Sequence, residues 1–243
     1  MGKQRERDLV KIDSFFSAAA KPYEKIIIDL RNNLGGAPAY WQKAFVERFI
    51  NEPITHKQYT VVKKSIFDEL KFNRKLFALK FSNEIELGEL KKVEFSAWKD
   101  NQLPPYLSIN DYYCMHSSKT FEPHNPYNFN GEIYLLIDHD SFSATEDFAK
   151  FAKETGFAKI VGAQSIGGAA VAFVPWFFEL PNSHIMLSME IDMAFNSDGT
   201  INEIYGTKPD FEMEPPSYPT EMPSAYTKEA LVQDNWIKFI LAK

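Results

Sequence analysis

Residues 131–168, GEIYLLIDHDSFSATEDFAKFAKETGFAKIVGAQSIGG, constrain the fold of this chain more than any other stretch. An apolar run of β-formers, Ile133–Ile137, leads into a polar turn. Ser143 comes next, and then Phe148, Ala149, Phe151 and Ala152 recur at helical spacing with charged residues between them. The pattern ends near Gly156, and a second apolar run, Ala158–Val161, follows. This predicts a strand that delivers a serine to the first turn of a helix. A helix N-terminus offers free backbone N–H groups and the positive end of the helix dipole. A serine there can be an ordinary N-cap. It can also be a nucleophile whose oxyanion intermediate those N–H groups hold.

A second unit of the same kind lies upstream. Ile26-Ile27-Ile28-Asp29-Leu30 reads as a buried strand. It runs into the turn residues Arg31-Asn32-Asn33-Leu34-Gly35-Gly36, and residues 39–50 resume helical periodicity. Two such units imply an α/β protein. Residues 4–20 predict an amphipathic helix with Leu9, Ile12, Phe15, Phe16 and Ala19 on one stripe, broken by Pro22. It has no evident cap at its start, as expected for a piece of a longer chain. Residues 51–128, rich in Lys, Phe, Tyr and Asn, read as an inserted or cap-like segment. Its strand candidates are Tyr59–Val62 and Lys91–Phe95, with helical pieces between Ser65 and Leu90. Its aromatics suit a small core of its own or the wall of a peptide groove. Residues 170–192 predict two strands around the turn Leu180–Ser183, and Asn196–Thr200 predicts another turn. Phe211–Glu214 suits an edge strand, the proline-rich stretch 211–224 a rigid wrap. Thr227–Lys243 reads as a closing helix that buries Leu231, Trp236, Phe239 and Ile240.

Several function classes are disfavoured. The net charge of −6 gives no electrostatic case for nucleic acid. No apolar run approaches the roughly 18 residues of a membrane span. The start, MGKQRERD, lacks the apolar core of a signal peptide. Cys114 is the single cysteine, so no internal disulfide forms. The five histidines show no metal-ligand spacing, so neither a metal nor a cofactor is expected.

Three separated motifs line up in order: IIIDLRNNLGG (26–36), SFSATE (141–146) with GAQSIGG (162–168), and DGTINEIYGTKPD (198–210). Together they resemble the S41 family of serine peptidases, which includes the C-terminal processing (tail-specific) proteases and tricorn. The resemblance covers nearly the whole of 1–243 apart from the 51–128 segment. It implies a crotonase/ClpP-like spiral of ββα units with an inserted segment. The tail-specific branch pairs its serine with a lysine 25 residues on. Here that position is Gly168, and Gly162, Ser165 and Gly167 hold the register around it. A glycine there is similar to the tricorn-like branch, whose base is a histidine supported by a glutamate. Glu203 matches that glutamate. The histidine of that branch lies upstream of the first motif, where this chain has none.

The resemblance therefore implies a serine endopeptidase or carboxyl-end-processing peptidase working through a Ser143 acyl-enzyme, with its base outside this sequence. The expected oxyanion donors are the Ala144 amide and one from Gly35 or Gly36, unless the glycines only make a tight turn. Ser165, Gly167 and Gly168 are expected beside the substrate backbone, with Ser165 alternatively closing a turn. Glu203 either orients the base or is an exposed loop carboxylate. Asp29 and Arg31 are expected to fix the loop by an internal ion pair or backbone hydrogen bonds, and Glu146 to cap its own helix. His139 and His184 are weaker candidates for a base. The expected partner is a peptide or unfolded protein, with a cap or PDZ domain upstream and a location outside the cell or in the envelope of a bacterium. A lysine-less member could also be a non-catalytic binder of peptides or lipophilic ligands, as the retinoid-binding relatives are.

Overall fold

The computed structural model describes residues 3–17, 23–66, 91–94, 107–124, 127, 129–169, 176–214 and 228–243. Helix α1 (Lys3–Ser17) precedes strand β1 (Lys25–Asp29). A helical stretch follows: α2 (Pro38–Trp41), a π-helical turn over Gln42–Val46, and α3 (Glu47–Phe49). Next come β2 (Ile54–Lys63), β3 (Lys91–Val93), β4 (Tyr112–Phe121) and β5 (Glu132–Ile137), then α4 (Ala144–Thr155) and β6 (Lys159–Gly162). A hairpin of β7 (Trp176–Glu179) and β8 (Met186–Met189) leads to β9 (Asp192–Ala194) and α5 (Asn202–Tyr205). Strand β10 (Phe211–Glu212) and helices α6 (Lys228–Gln233) and α7 (Asn235–Leu241) close the chain.

The architecture is α/β, built on a parallel sheet in the order β1-β5-β6-β10. The apolar run Ile133–Ile137 is buried throughout because both faces of its sheet are covered. Leu135 and Ile137 share a core with Trp41, Phe148, Phe151 and Ile160. Tyr134, Leu136 and Val161 point the other way, onto Trp236, Ile237 and Ile240. The closing helix is not continuous. It breaks at Asp234, whose carboxylate caps α7 by accepting from the Trp236 and Ile237 amides.

A second, antiparallel sheet has the order β3-β4-β2-β9. The segment read as an insert supplies three of its four strands, and β9 from the downstream chain completes it through pairing with β2. One side of this sheet holds a small core of Val61, Cys114, Leu107, Phe195 and Ile201. The other lies on α4, where His56 Nε2 meets Glu154 at 2.6 Å and Gln58 donates to Asp147 at 2.7 Å. Strand β10 is an edge strand, as expected, paired in parallel with β6. The helical pieces between Ser65 and Leu90 and the proline-rich wrap lie largely outside the described residues. Among the described residues no helix is long and apolar enough to cross a membrane.

Candidate active site

Ser143 sits between the C-terminal end of β5 and α4 with φ 58° and ψ −125°. A non-glycine residue in that region is strained by about 1–3 kcal/mol and persists only where its surroundings impose it. Its side chain makes no capping bond. The ordinary N-cap role is therefore not the one Ser143 plays. The turn is fixed on both sides: Thr145 N–H donates to Phe142 O (3.2 Å) and Asp147 N–H to Ser143 O (2.9 Å).

Gly35 packs directly on this turn. A Cβ at Gly35 would lie 2.7 Å from Phe142 O, 2.7 Å from Ser143 Cβ and 2.9 Å from the Ala144 nitrogen, and its φ is +100°. Only glycine allows that approach in that conformation. The Gly35 amide is already engaged, donating to Asn33 Oδ1 at 2.9 Å. Of the two glycines expected to supply an oxyanion donor, Gly36 is thus the one with an amide to give. Ala144, whose nitrogen Gly35 approaches, is at the first position of a helix whose leading amides have no intrahelical acceptor.

The stretch 165–169 forms the other side. Phe142 and Gly167 share a parallel bridge. Gly167 (φ +95°) lies against the backbone of Asn202 and Glu203, so a side chain there has no room. Gly168 (φ +93°) lies under the Phe142 ring. A lysine at 168 would need both a left-handed backbone and the space that ring fills, so the missing lysine has a structural counterpart. Ser165, one expected substrate contact, is 4% exposed. Its hydroxyl accepts from the Thr207 amide at 2.7 Å, so it takes the turn-closing role.

Glu203 is half-buried on α5, next to Gly167, and its Oε2 accepts from the Ala194 amide at 2.7 Å. Glu146 lies in the first turn of its own helix. It is fully buried there, and Oε1 accepts from Asn202 Nδ2 (2.5 Å) and Thr207 Oγ1 (2.6 Å). Burial pushes its pKa up. Asn202 Oδ1 in turn accepts from the Ala169 amide at 2.9 Å. This buried set ties the Ser143 helix to the element carrying Glu203 and to the glycine stretch. Asn202 and Thr207 lie within a quoted motif, but nothing in the sequence marks them as buried partners of Glu146.

Asp29 and Arg31 pair as expected, at 2.5 Å, and Asp234 joins them at 2.7 Å. Burial opposes the Arg31 charge, but the two carboxylates outweigh it and raise its pKa. His139 is an exposed residue at the strand end. His184 is not in a strand. It lies in the β7–β8 turn with φ 57°, exposed and bonded to Glu179. His56 is committed to Glu154. Among the described residues no cluster of His, Cys, Asp or Glu could hold a metal. A groove of about 580 Å³ lies at the opposite end of the parallel sheet, lined by Ile50–Ile54, Glu132 and Lys159, and touches none of these residues.

Exposed apolar side chains gather at this end of the sheet. Leu34, Phe142, Ile166, Ile204 and Tyr205 are all well exposed, and each lies within two residues of Gly35, Ser143, Gly167 or Glu203 in the chain.

The profile of Peptidase family S41 matches residues 5–213. The chain belongs to this family. No curated protein matches the sequence. Among solved structures, a putative peptidase from Parabacteroides merdae ATCC 43184 is similar at 18% identity and TM-score 0.57, over 96% of this chain and 56% of its own. Mature CPAF is similar at 18% identity and TM-score 0.54, over 87% of this chain and 42% of its own. Mature CPAF complexed with lactacystin gives 16% identity and TM-score 0.55, over 87% and 43%. At these identities the likeness concerns the fold. This S41 chain spans about half the length of the structures it matches.

Proposed function

We propose that this chain carries the nucleophile of a serine peptidase that hydrolyses peptide bonds through a Ser143 acyl-enzyme. One observation carries the reading: an uncapped serine at positive φ heads a helix and faces the Gly35–Gly36 loop. In this reading Ser143 Oγ attacks the scissile carbonyl carbon while its proton passes to a base. The Ala144 and Gly36 amides hold the oxyanion. Collapse breaks the C–N bond, the base returns the proton to the leaving amine, and water then opens the ester. The base is a histidine from outside these 243 residues, since Gly168 replaces the lysine of the other branch. In this reading Glu203, which lies beside Gly167, supports that histidine. The exposed apolar rim suits an apolar segment of an unfolded chain, held by main-chain hydrogen bonds as an added strand. The parallel sheet with helices on both faces supports the crotonase/ClpP-like arrangement.

The test is hydrolysis of casein by the wild-type chain and by Ser143→Ala, alone and with the upstream region of the full-length protein. Activity that vanishes in the variant supports the reading. Lactacystin, found in complex with the similar CPAF, serves as a second probe and is expected to modify Ser143. Saturable binding of a fatty acid or retinoid, with no Ser143-dependent cleavage in either form, would replace the peptidase with a carrier.

A further inference from the structure

Asp138 directly follows β5, five residues before Ser143. It is 6% exposed and has no ion-pair partner among the described residues. Its two oxygens face donors from two different loops. The Asn32 amide, after β1, lies 3.0 Å from each oxygen. The Asp140 amide donates to Oδ1 at 3.1 Å. Ser141, fully buried, accepts from the Asp138 amide at 3.1 Å. Its one hydroxyl proton goes to Leu30 O (3.2 Å) or to Asp138 Oδ1 (3.3 Å). Phe142 N–H then donates to Asn33 O at 3.2 Å. The parallel pairing of β1 and β5 therefore continues past the sheet, through side chains, into both loops. One loop carries Gly35 and Gly36, the other Ser143 and Ala144, and Gly35 packs directly on Ser143 and the Ala144 nitrogen.

We propose that Asp138 and Ser141 are positioning residues: a buried clamp that holds the Gly36 and Ala144 amides in register for one oxyanion. This rests on the peptidase reading. A carboxylate suits the task because both oxygens only accept. An asparagine of the same shape turns an NH₂ toward one of these N–H donors, so Asp138→Asn breaks the clamp without creating a cavity.

The test uses the whole chain, ¹⁵N-labelled, as wild type, Asp138→Asn and Ser141→Ala. Amide exchange at Asn32 and Phe142 is expected to quicken about tenfold or more in Asp138→Asn, while amides of Leu135 and Ile160 in the sheet keep their protection. The Gly36 and Ala144 amide shifts are expected to move. On casein, with the upstream region present, kcat is expected to fall roughly 10- to 100-fold with KM within about twofold, because the lost contacts act in the transition state. Unchanged Gly36 and Ala144 amides, or an unchanged kcat, would overturn the clamp. So would equal loss of protection in the sheet, which is the mark of a merely structural role. If Asp138→Asn does not fold, Ser141→Ala carries the same comparison. Exchange needs no catalysis, so the clamp is tested even if casein is never cleaved, an outcome that sinks the peptidase reading alone.

Discussion

Glycine positions carry much of this site, and each is a matter of room. Gly35→Ala would place a methyl 2.7 Å from Ser143 Cβ at φ +100°. We expect it to abolish Ser143-dependent cleavage and to lower stability by about 1–3 kcal/mol, read from chemical denaturation. Gly168→Lys puts a lysine at the position used by the tail-specific branch. With φ +93° and the Phe142 ring in the way, it is expected to lower Tm and to give no activity without the upstream region. Cleavage by the isolated variant would show that the Phe142 ring yields and that a Ser–Lys pair forms here. The sequence shows that position 168 is glycine. That the ring of residue 142 lies on it is visible only after the loops meet.

The Ser143 helix is the element that most departs from its pattern. Phe148, Ala149, Phe151 and Ala152 form the expected apolar face. Charged residues before and among them also lie inside: Glu146, Asp147 and Lys150 are each at most 3% exposed. Burial pushes Asp147 up to about 6, against the opposing pull of the Gln58 bond. The sign follows from a folded pKa above the ordinary 3.8. The folded state binds the proton more tightly, so the stability this protonation contributes is fully present below about pH 4 and is lost as pH rises through about 6. Asp147→Asn is therefore expected to raise stability at pH 7.5 by up to about 3 kcal/mol, with the gain fading toward pH 4. A pH series of denaturation curves measures it, and an equal effect at both pH values would contradict the assignment. Glu154 goes the other way. Burial alone would raise it, but His56 and Lys150 outweigh that and hold it below the usual range.

Across the molecule, one helix serves both sheets. Its apolar face meets the parallel sheet, and its charged residues meet β2 of the antiparallel sheet. Strand β2 is thereby joined to the nucleophile's own support. A double-mutant cycle of His56→Ala and Glu154→Ala is expected to show coupling of about 0.5–3 kcal/mol in unfolding free energy. A coupling near zero would mean that the two sheets are energetically separate. On the far face Trp236, 1% exposed, packs on Gly162 and lies 5.1 Å beneath Arg31. Trp236→Ala is expected to cost about 3–5 kcal/mol, measurable by urea titration.

Local signals were enough for the strand, serine and helix of 131–168, for the glycine turn after β1, and for the edge position of Phe211. Each depends on residues a few positions apart, whose spacing sets which side chains share a face. The Asp29–Arg31 pair was legible for the same reason. What lay beyond the sequence involves partners far along the chain. Glu146 meets Asn202 and Thr207, Asp147 meets Gln58, Asp138 meets Asn32, and Asp234 meets Arg31. A carboxylate reads as solvent-facing until the element that covers it is known. Folding brings those elements over α4 and the β5 turn, and it is their hydrogen bonds that make burial of the acids tolerable.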